Sequence, residues 1–577
     1  MKNKEMAVLF NRIAEALEIK GESGFRVSAY RRAARTLEDL TEDIETIAKE
    51  KRLQEIPGIG SGMAQKIEEY LKTGKMKKYE EVLSDIPESL LKLLEIQGVG
   101  GKTVYLAHKE LGVKALDDLK RVIEDGSLAK LYGMGDKKVE NIRKGIETYE
   151  KVQERISIYE ASTIADQVVA YLKGNSLVKQ VAAAGSLRRM KETVGDLDIL
   201  ASGKNGTEII RTFTKLPGTL RVLSAGDTKG SIIIKTETTE RQIDLRIVAE
   251  SEFGAALQYF TGSKSHNIKL RGMAKAKGLK ISEYGVFRGT KKIAGATEEE
   301  VYAVLGLPWI PPEMREDRGE IELALEHKLP LPVEIGDIKG DLHVHSKYSD
   351  GNTSIREVAE LARKMNYEYI ALCDHSGTAK YAHGMSVERI KKEWQEIDAL
   401  NKEFRGFSVL RGSEVDILAD GKLDFPDTVL KQLDFVVAAV HSGFKKNVTE
   451  RILRAMENPY VTTIAHPTGR LISGREGYTV DVEKILQGAK KNGKALELNA
   501  YFDRLDLNEF YLKKAKEMGI KITIGTDTHY PHGLAMMRFG VGIARRAWLE
   551  KDDILNCLSC KELMKRKPWT ISSRSPL

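Results

Sequence analysis

Beyond residue 338 the chain repeats one pattern: a short apolar run that ends on a histidine or a carboxylate. YIALCD precedes His375, FSVLRGS precedes Glu414, FVVAAV precedes His441, VTTIA precedes His466, and ITIGT precedes Asp527 and His529. Each run has the length and the β-branched content of a buried strand, and helical stretches such as VERIKKEWQEIDALNKEF and VEKILQGAKKNG separate them. Strand and helix in alternation predict a parallel barrel, whose strand C-terminal ends open on one mouth. His343-Val344-His345 begins the series with both imidazoles on one strand face, and Asp350 follows closely. Imidazoles and carboxylates gathered at one mouth suit Zn²⁺, Mn²⁺ or Fe²⁺, since calcium and magnesium take oxygen ligands alone. Metals held there would make hydroxide at neutral pH and clamp a substrate oxygen, so hydrolytic chemistry is expected. His383 and His532 miss the strand ends and are expected in loops.

A second set of carboxylates lies at residues 185–200, GSLRRMKETVGDLDIL. Read with period two, Asp196 and Asp198 point to one side of a strand while Leu197 and Ile199 enter a core. Two carboxylates on one face repel unless a cation sits between them, and with oxygen donors alone that cation is a hard one such as Mg²⁺. In RQIDLRIV, Asp244 alternates with Ile243, Leu245 and Ile247, so a neighbouring strand would bring it beside the pair. Three aspartates can hold two metals, Mg²⁺ or Mn²⁺, which is the arrangement in-line phosphoryl transfer requires. Gly185-Ser186 would cradle phosphates through backbone N–H groups, with Arg189 neutralising charge.

The first 150 residues read as short helices, with Leu9, Ile13, Ala16 and Leu17 on one face of the first and Arg26, Tyr30, Arg31 and Arg35 at helical spacing on the next. Three G-x-G turns recur there, each after an apolar stretch and before a helix: Gly58 and Gly60, Gly98 and Gly100, Gly133 and Gly135. The free N–H groups of such helix starts can hold a phosphate without any net charge nearby. Three copies in one apolar context point to a backbone-gripping module for duplex nucleic acid.

Charge placement agrees with a polyanionic partner. The net charge is +8, yet residues 151–310 carry 24 basic against 17 acidic side chains, so nearly all the excess surrounds the aspartates. Lys264, Lys269, Arg271, Lys275, Lys277 and Lys280 form a run uninterrupted by any acid. At 577 residues the chain is expected to hold about four domains. No apolar run is long enough for a bilayer, no secretory signal is expected, and three cysteines fit a reducing cytoplasm. Cys557 and Cys560 form a lone C-x-x-C, which is weak support for zinc.

Taken together, the Gly-Ser turn, the Arg pair and the three aspartates resemble the nucleotidyltransferase palm of family X DNA polymerases, and the histidine set resembles the polymerase and histidinol phosphatase (PHP) domain. The resemblance implies a multidomain chain of all-α helix-hairpin-helix domains, an α+β palm and thumb, and a distorted TIM-like α/β barrel. Its boundaries would be 1–80 (lyase-like helix-hairpin-helix), 81–150 (DNA-binding helix-hairpin-helix), 151–250 (palm), 251–312 (thumb), 313–337 (linker) and 338–577 (PHP).

The same resemblance assigns roles. Lys66 falls where lyase members carry a Schiff-base lysine, although Gly62 replaces another lysine of that pocket. Gly185, Ser186, Arg189 and Gly195 would hold the triphosphate, with Val194 where animal repair members often have serine. Tyr259, Phe260 and Gly262 resemble the turn that presses on the sugar, Asn267 the residue at the minor-groove edge of the incoming base, and Arg271 the one touching the template. Lys264 stands where vertebrate members have an acid. His343, His345, Asp350, His375, Glu414, His441, His466, Asp527 and His529 fill the nine positions of the PHP metal site. Implied partners are gapped or primed DNA and deoxynucleoside triphosphates, with no membrane and a monomeric state. The implied reactions are gap filling and 3′→5′ exonuclease action, with abasic-site cleavage or 3′-end cleaning as variants. The alternatives are a fused small-molecule phosphatase and a degenerate DNA-end scaffold.

Overall fold

A computed structural model describes every residue except 1, 23, 39–43, 57, 85, 97, 154, 236–239, 473, 475–476 and 567–577. Pro57 and Gln97, which belong to two of the turns, and the side chain of Arg35 lie outside the described residues.

The described part of residues 2–153 is helical, and one apolar cluster runs through it from Met6 to Ile146. Its three G-x-G turns share a single backbone form. A 3₁₀ turn leads into each (Leu53–Glu55, Leu93–Glu95, Leu128–Lys130), and the first glycine takes positive φ: +87° at Gly58, +90° at Gly98 and +78° at Gly133. The residue between the glycines donates its N–H backward, Ile59 to Ile56, Val99 to Ile96 and Met134 to Leu131, each at 3.0 Å. Those three side chains are buried, so an apolar plug anchors each turn and a helix starts directly after Gly60, Gly100 and Gly135.

The strands that follow are β1 (Ile156–Ser157), β2 (Val178–Ala183), β3 (Thr193–Val194), β4 (Leu197–Gly203), β5 (Thr219–Ala225), β6 (Lys229–Lys235) and β7 (Glu240–Val248). Five of them form one sheet in the order β2-β4-β7-β6-β5, in which only β4 and β7 run parallel. Residues 253–305 add the helices Phe253–Thr261 and Lys264–Ala276 and a small sheet of β8 (Lys280–Ser282), β9 (Gly285–Arg288) and β10 (Lys291–Ala294).

Residues 313–337, expected as a linker from their proline and charge, are packed down onto this region. Met314, Ile321 and Ala324 join its apolar core, and Arg315 and Glu320 are fully buried. The charges are tolerated because each is fully hydrogen-bonded: Arg315 donates two hydrogen bonds to Glu298 at 2.6 and 3.0 Å, and Glu320 accepts from His266 at 2.7 Å and from the Asp317 and Arg318 N–H groups at 2.9 and 2.7 Å. Glu298 and His266 lie on other elements, so composition alone marks only a linker.

The remainder is a seven-stranded parallel sheet in chain order: β11 (Gly340–Val344), β12 (Tyr369–Leu372), β13 (Ser408–Asp416), β14 (Phe435–Ala439), β15 (Thr463–Ile464), β16 (Ala495–Asn499) and β17 (Ile522–Gly525). It curls until its edges meet, through a Val344–Thr528 bridge and the His345 N–H donating to the Thr528 carbonyl at 3.0 Å. Palm and barrel share one apolar cluster. Arg470 pairs with Glu192 at 2.5 Å and Arg538 with Asp166 at 2.9 Å across the same boundary. Toward the C-terminus, helices Met537–Arg546 and Cys560–Lys565 follow β17 and pack against the barrel. Residues 567–577 lie outside the described part.

Candidate active sites

Asp198 on β4 is the register partner of Asp244 on β7, and Asp196 precedes β4 at an exposed position. Burial, then the charges of Asp196 and Asp244, push the Asp198 carboxyl up to about 6. Burial alone would raise Asp244 too, but Ser231 donates to it at 2.6 Å, Gln242 at 2.9 Å and Lys229 pairs with it at 3.1 Å, which together hold it below the carboxylate range. A repelling set of oxygen donors of this kind fits a hard divalent cation.

Backbone from the Gly-Ser turn lies directly against this set. Gly185 has φ +62°, and a Cβ there would stand 2.8 Å from Asp198 Oδ2, so no side chain fits. A small cavity of ≈ 60 Å³ is lined by Asp198, Lys229, Asp244, Arg246 and Phe260. Through Phe260, which sits under the Arg246 guanidinium at 5.2 Å, the turn at Tyr259–Gly262 reaches the palm. Asn267 donates to the Tyr259 carbonyl at 2.8 Å and accepts from Gln258 at 2.7 Å, which ties it to that turn. Gly195 lies beside Arg155, whose Nη1 would be 3.4 Å from a Cβ there.

Two predicted contacts are differently engaged. The Arg189 guanidinium donates to the Thr261 carbonyl and to Glu316 at 3.1 Å, so an acid from 313–337 occupies it. In the basic run, Lys269 pairs with Asp317 at 2.9 Å and with Glu322, whereas Lys264, Arg271, Lys275 and Lys280 are exposed. Lys66 donates to the Gly62 carbonyl at 2.8 Å and stands 6.0 Å above the Tyr30 ring. Burial, then Lys78, lowers its pKa, which raises the fraction able to act as a nucleophile.

In the barrel the nine residues converge around Glu414. Its oxygens lie 3.5 Å from His343 Nε2, 3.6 Å from His345 Nε2, 3.0 Å from His375 Nδ1, 3.2 Å from His441 Nε2 and 2.9 Å from His466 Nε2. Asp527 is 3.2 Å from His345, and Asp350 is 3.2 Å from His529 and 3.6 Å from His375. Three overlapping groups could each hold an ion: His345, Asp350, His375 and His529; His343, His345 and Asp527; His375, Glu414 and His441. Nδ1 of His345 is buried 4.0 Å from Asp350 without a hydrogen-bond partner, and Nδ1 of His375 approaches Glu414 at 3.0 Å without hydrogen-bond geometry, as donors left for a metal would be. Protons partly balance the carboxylates here: burial opposes charge on His441, but Glu414 and Asp416 raise it to about 10, while burial and then His529 drop His345 to about 4.

Sequence reading missed the supports of this cluster. Glu497 accepts from His343 Nδ1 at 2.6 Å and from the His466 N–H at 2.8 Å, and Asp416 accepts from His441 Nδ1 at 2.5 Å. Asn499 donates to Asp527 at 3.1 Å. A signal existed, since Asp416 stands two residues beyond Glu414, and Glu497 and Asn499 alternate in ALELN, each pair on one strand face. Of the two loop histidines, His532 lines the barrel cavity and His383 ends a 3₁₀ turn at φ +54°.

The fold is thus a multidomain one with two separate carboxylate-bearing sites, an in-register aspartate pair on the five-stranded sheet and an imidazole–carboxylate cluster at the barrel mouth. Family models agree: a helix-hairpin-helix domain matches residues 1–76, a SAM-like helix-hairpin-helix tandem 90–148, the DNA polymerase beta thumb 256–316 and the PHP domain 341–501. The DNA polymerase/3'-5' exonuclease PolX of Bacillus subtilis is 42% identical over 568 residues, covering 98% of this chain and 99% of its own. DNA polymerase lambda of Rattus norvegicus is 27% identical over 334 residues, 53% of this chain and 54% of its own, and a probable phosphatase of Thermoanaerobacter sp. is 32% identical over 247 residues, 39% and 94%. The chain belongs to the family X DNA polymerases that carry a C-terminal PHP domain.

Proposed function

We propose that the chain fills short gaps in DNA during base-excision repair and trims 3′ ends with its barrel. The observation that carries the synthetic half is the in-register pairing of Asp198 with Asp244. Asp196, Asp198 and Asp244 would hold two divalent cations, Mg²⁺ or Mn²⁺, which when bound neutralise charge on the attacking and leaving oxygens. Asp244, held ionised by its hydrogen bonds, is positioned to take the proton of the primer 3′-hydroxyl. Backbone N–H groups at Gly185-Ser186 and the Gly195 turn hold the triphosphate, and Arg189 exchanges Glu316 for it, one anion for another. Tyr259, Phe260 and Gly262 press on the sugar, Asn267 meets the base, and Arg271 meets the template. The turns at Gly58, Gly98 and Gly133 hold duplex backbone on either side.

His343, His345, Asp350, His375, Glu414, His441, His466, Asp527 and His529 would hold Mn²⁺, Zn²⁺ or Fe²⁺, a cluster that clamps a phosphoryl group when bound. Similarity to DNA polymerase/3'-5' exonuclease PolX supports 3′→5′ exonuclease action there. The likeness to a probable phosphatase favours small phosphate monoesters as a second substrate, and incubation with Mn²⁺ and either substrate separates the two. Lys66 would act on abasic sites, tested by borohydride trapping of an adduct that Lys66→Ala abolishes. We adopt the boundaries 1–80, 81–150, 151–250, 251–312, 313–337 and 338–577, a monomer, and a cytoplasmic location, which three free thiols support. Asp198→Ala is expected to lower gap filling by at least ~10³-fold with exonuclease intact, and His343→Ala to do the reverse. Loss of both activities in either variant would overturn the two-site reading.

A further inference from the structure

The barrel cavity is not built by the barrel alone. It measures ≈ 490 Å³, within the range that admits a nucleotide, and Tyr159 of the palm helix Ile158–Lys173 lines it together with Glu414, His441, Asp527 and the other cluster residues. Tyr159 stacks on Phe502, centroids 4.7 Å apart with planes at 22°, and Phe502 meets Tyr501 at 4.8 Å. Three rings therefore form a continuous aromatic wall beside the cluster, and 38% of Tyr159 remains exposed. The wall is held across the domain boundary: Phe539 meets the Tyr159 ring edge-on at 6.2 Å, and Arg538 pairs with Asp166 on the same helix.

A small phosphate monoester needs no such wall. The probable phosphatase of Thermoanaerobacter sp. aligns with only 39% of this chain, too little to contain both the palm helix and the whole barrel. An aromatic face beside a phosphoryl-cleaving cluster does suit the terminal base of a single strand, because every base has a π-face and stacking is tolerant of sequence. The protein would present an aromatic contribution from the synthetic domain exactly where the nuclease needs to hold an unpaired end.

We propose that Tyr159, supplied by the palm and stacked on Phe502, is a subsite that binds the 3′-terminal base of single-stranded DNA entering the barrel. This rests on the exonuclease reading, and two measurements keep the two apart. In the first, full-length protein with Mn²⁺ digests single-stranded oligonucleotides ending in a normal or an abasic nucleotide. The wild type favours the base-bearing end in KM, Tyr159→Ala erases roughly tenfold of that preference, and Tyr159→Phe keeps it. An unchanged ratio in Tyr159→Ala, or equal damage from Tyr159→Phe, overturns the subsite. The second needs no catalysis: a 3′-terminal 2-aminopurine is added to full-length His343→Ala. Quenching on binding that is lost in His343→Ala/Tyr159→Ala and kept in His343→Ala/Tyr159→Phe supports the subsite, and equal quenching in all three overturns it. Absence of nucleotide release by the wild type would instead strike the exonuclease reading and leave the binding result to decide the subsite.

Discussion

Asp198 and Asp244 are register partners on two adjacent parallel strands, so their side chains leave the sheet on the same face. The proposed polymerase site rests on that one relationship: the sheet spacing sets the carboxylates close, burial makes their repulsion costly, and a divalent cation would relieve it.

The repulsion has a pH signature in the metal-free protein. Burial and the neighbouring carboxylates push Asp198 up to about 6 from the ordinary 3.8 of an unfolded aspartate, so the folded state binds more protons between those values. Stability is therefore lost as pH rises from about 4 to about 6, and the penalty is complete above that. After allowance for partial exposure it amounts to about 2 kcal/mol. Denaturation across this range should show a shallower slope in Asp198→Asn than in the wild type, because Asp341 and other buried carboxyls titrate in both, and Mg²⁺ should restore wild-type stability at pH 7.

Glu497 orients His343 through a 2.6 Å hydrogen bond while also accepting from the His466 N–H. Glu497→Gln should weaken metal binding at the barrel by about 10- to 100-fold, read by competition with a chelator, and should lower nuclease activity with gap filling retained. Undiminished metal affinity would show that His343 needs no such support.

Gly133 has φ +78°, and a Cβ there would meet nothing within 4 Å, so Gly133→Ala costs backbone strain alone, about 1 kcal/mol. DNA affinity should fall severalfold with the salt dependence unchanged, because no charge is removed. Arg271→Ala should instead reduce the slope of log affinity against log salt by about 1. Identical salt behaviour in both variants would remove Arg271 from the DNA contacts.

Some of the architecture was legible because its signals are local. Alternation in DLDIL and RQIDLRIV put Asp198 and Asp244 on one sheet face, though Asp196 falls just before its strand, and strand-end histidines announced a parallel barrel, since period two and strand–helix alternation are written into neighbouring residues. The G-x-G turns were equally readable, because positive φ favours glycine wherever it occurs. Glu497 was within reach of the same reasoning but carried no histidine to draw notice.

What the sequence determined by itself was which residues line each strand face and which turns require glycine. Tertiary structure alone decided that Glu316 occupies Arg189, that Arg315 and Glu320 are buried rather than solvated, and that Tyr159 enters the barrel cavity. Those pairings join residues far apart in the chain, and opposite charges or stacked rings leave no periodicity behind. Residues 313–337 bring Glu316 to Arg189 and bury Arg315 and Glu320 by folding back on earlier elements, and the packing of palm against barrel carries Tyr159 into the cavity.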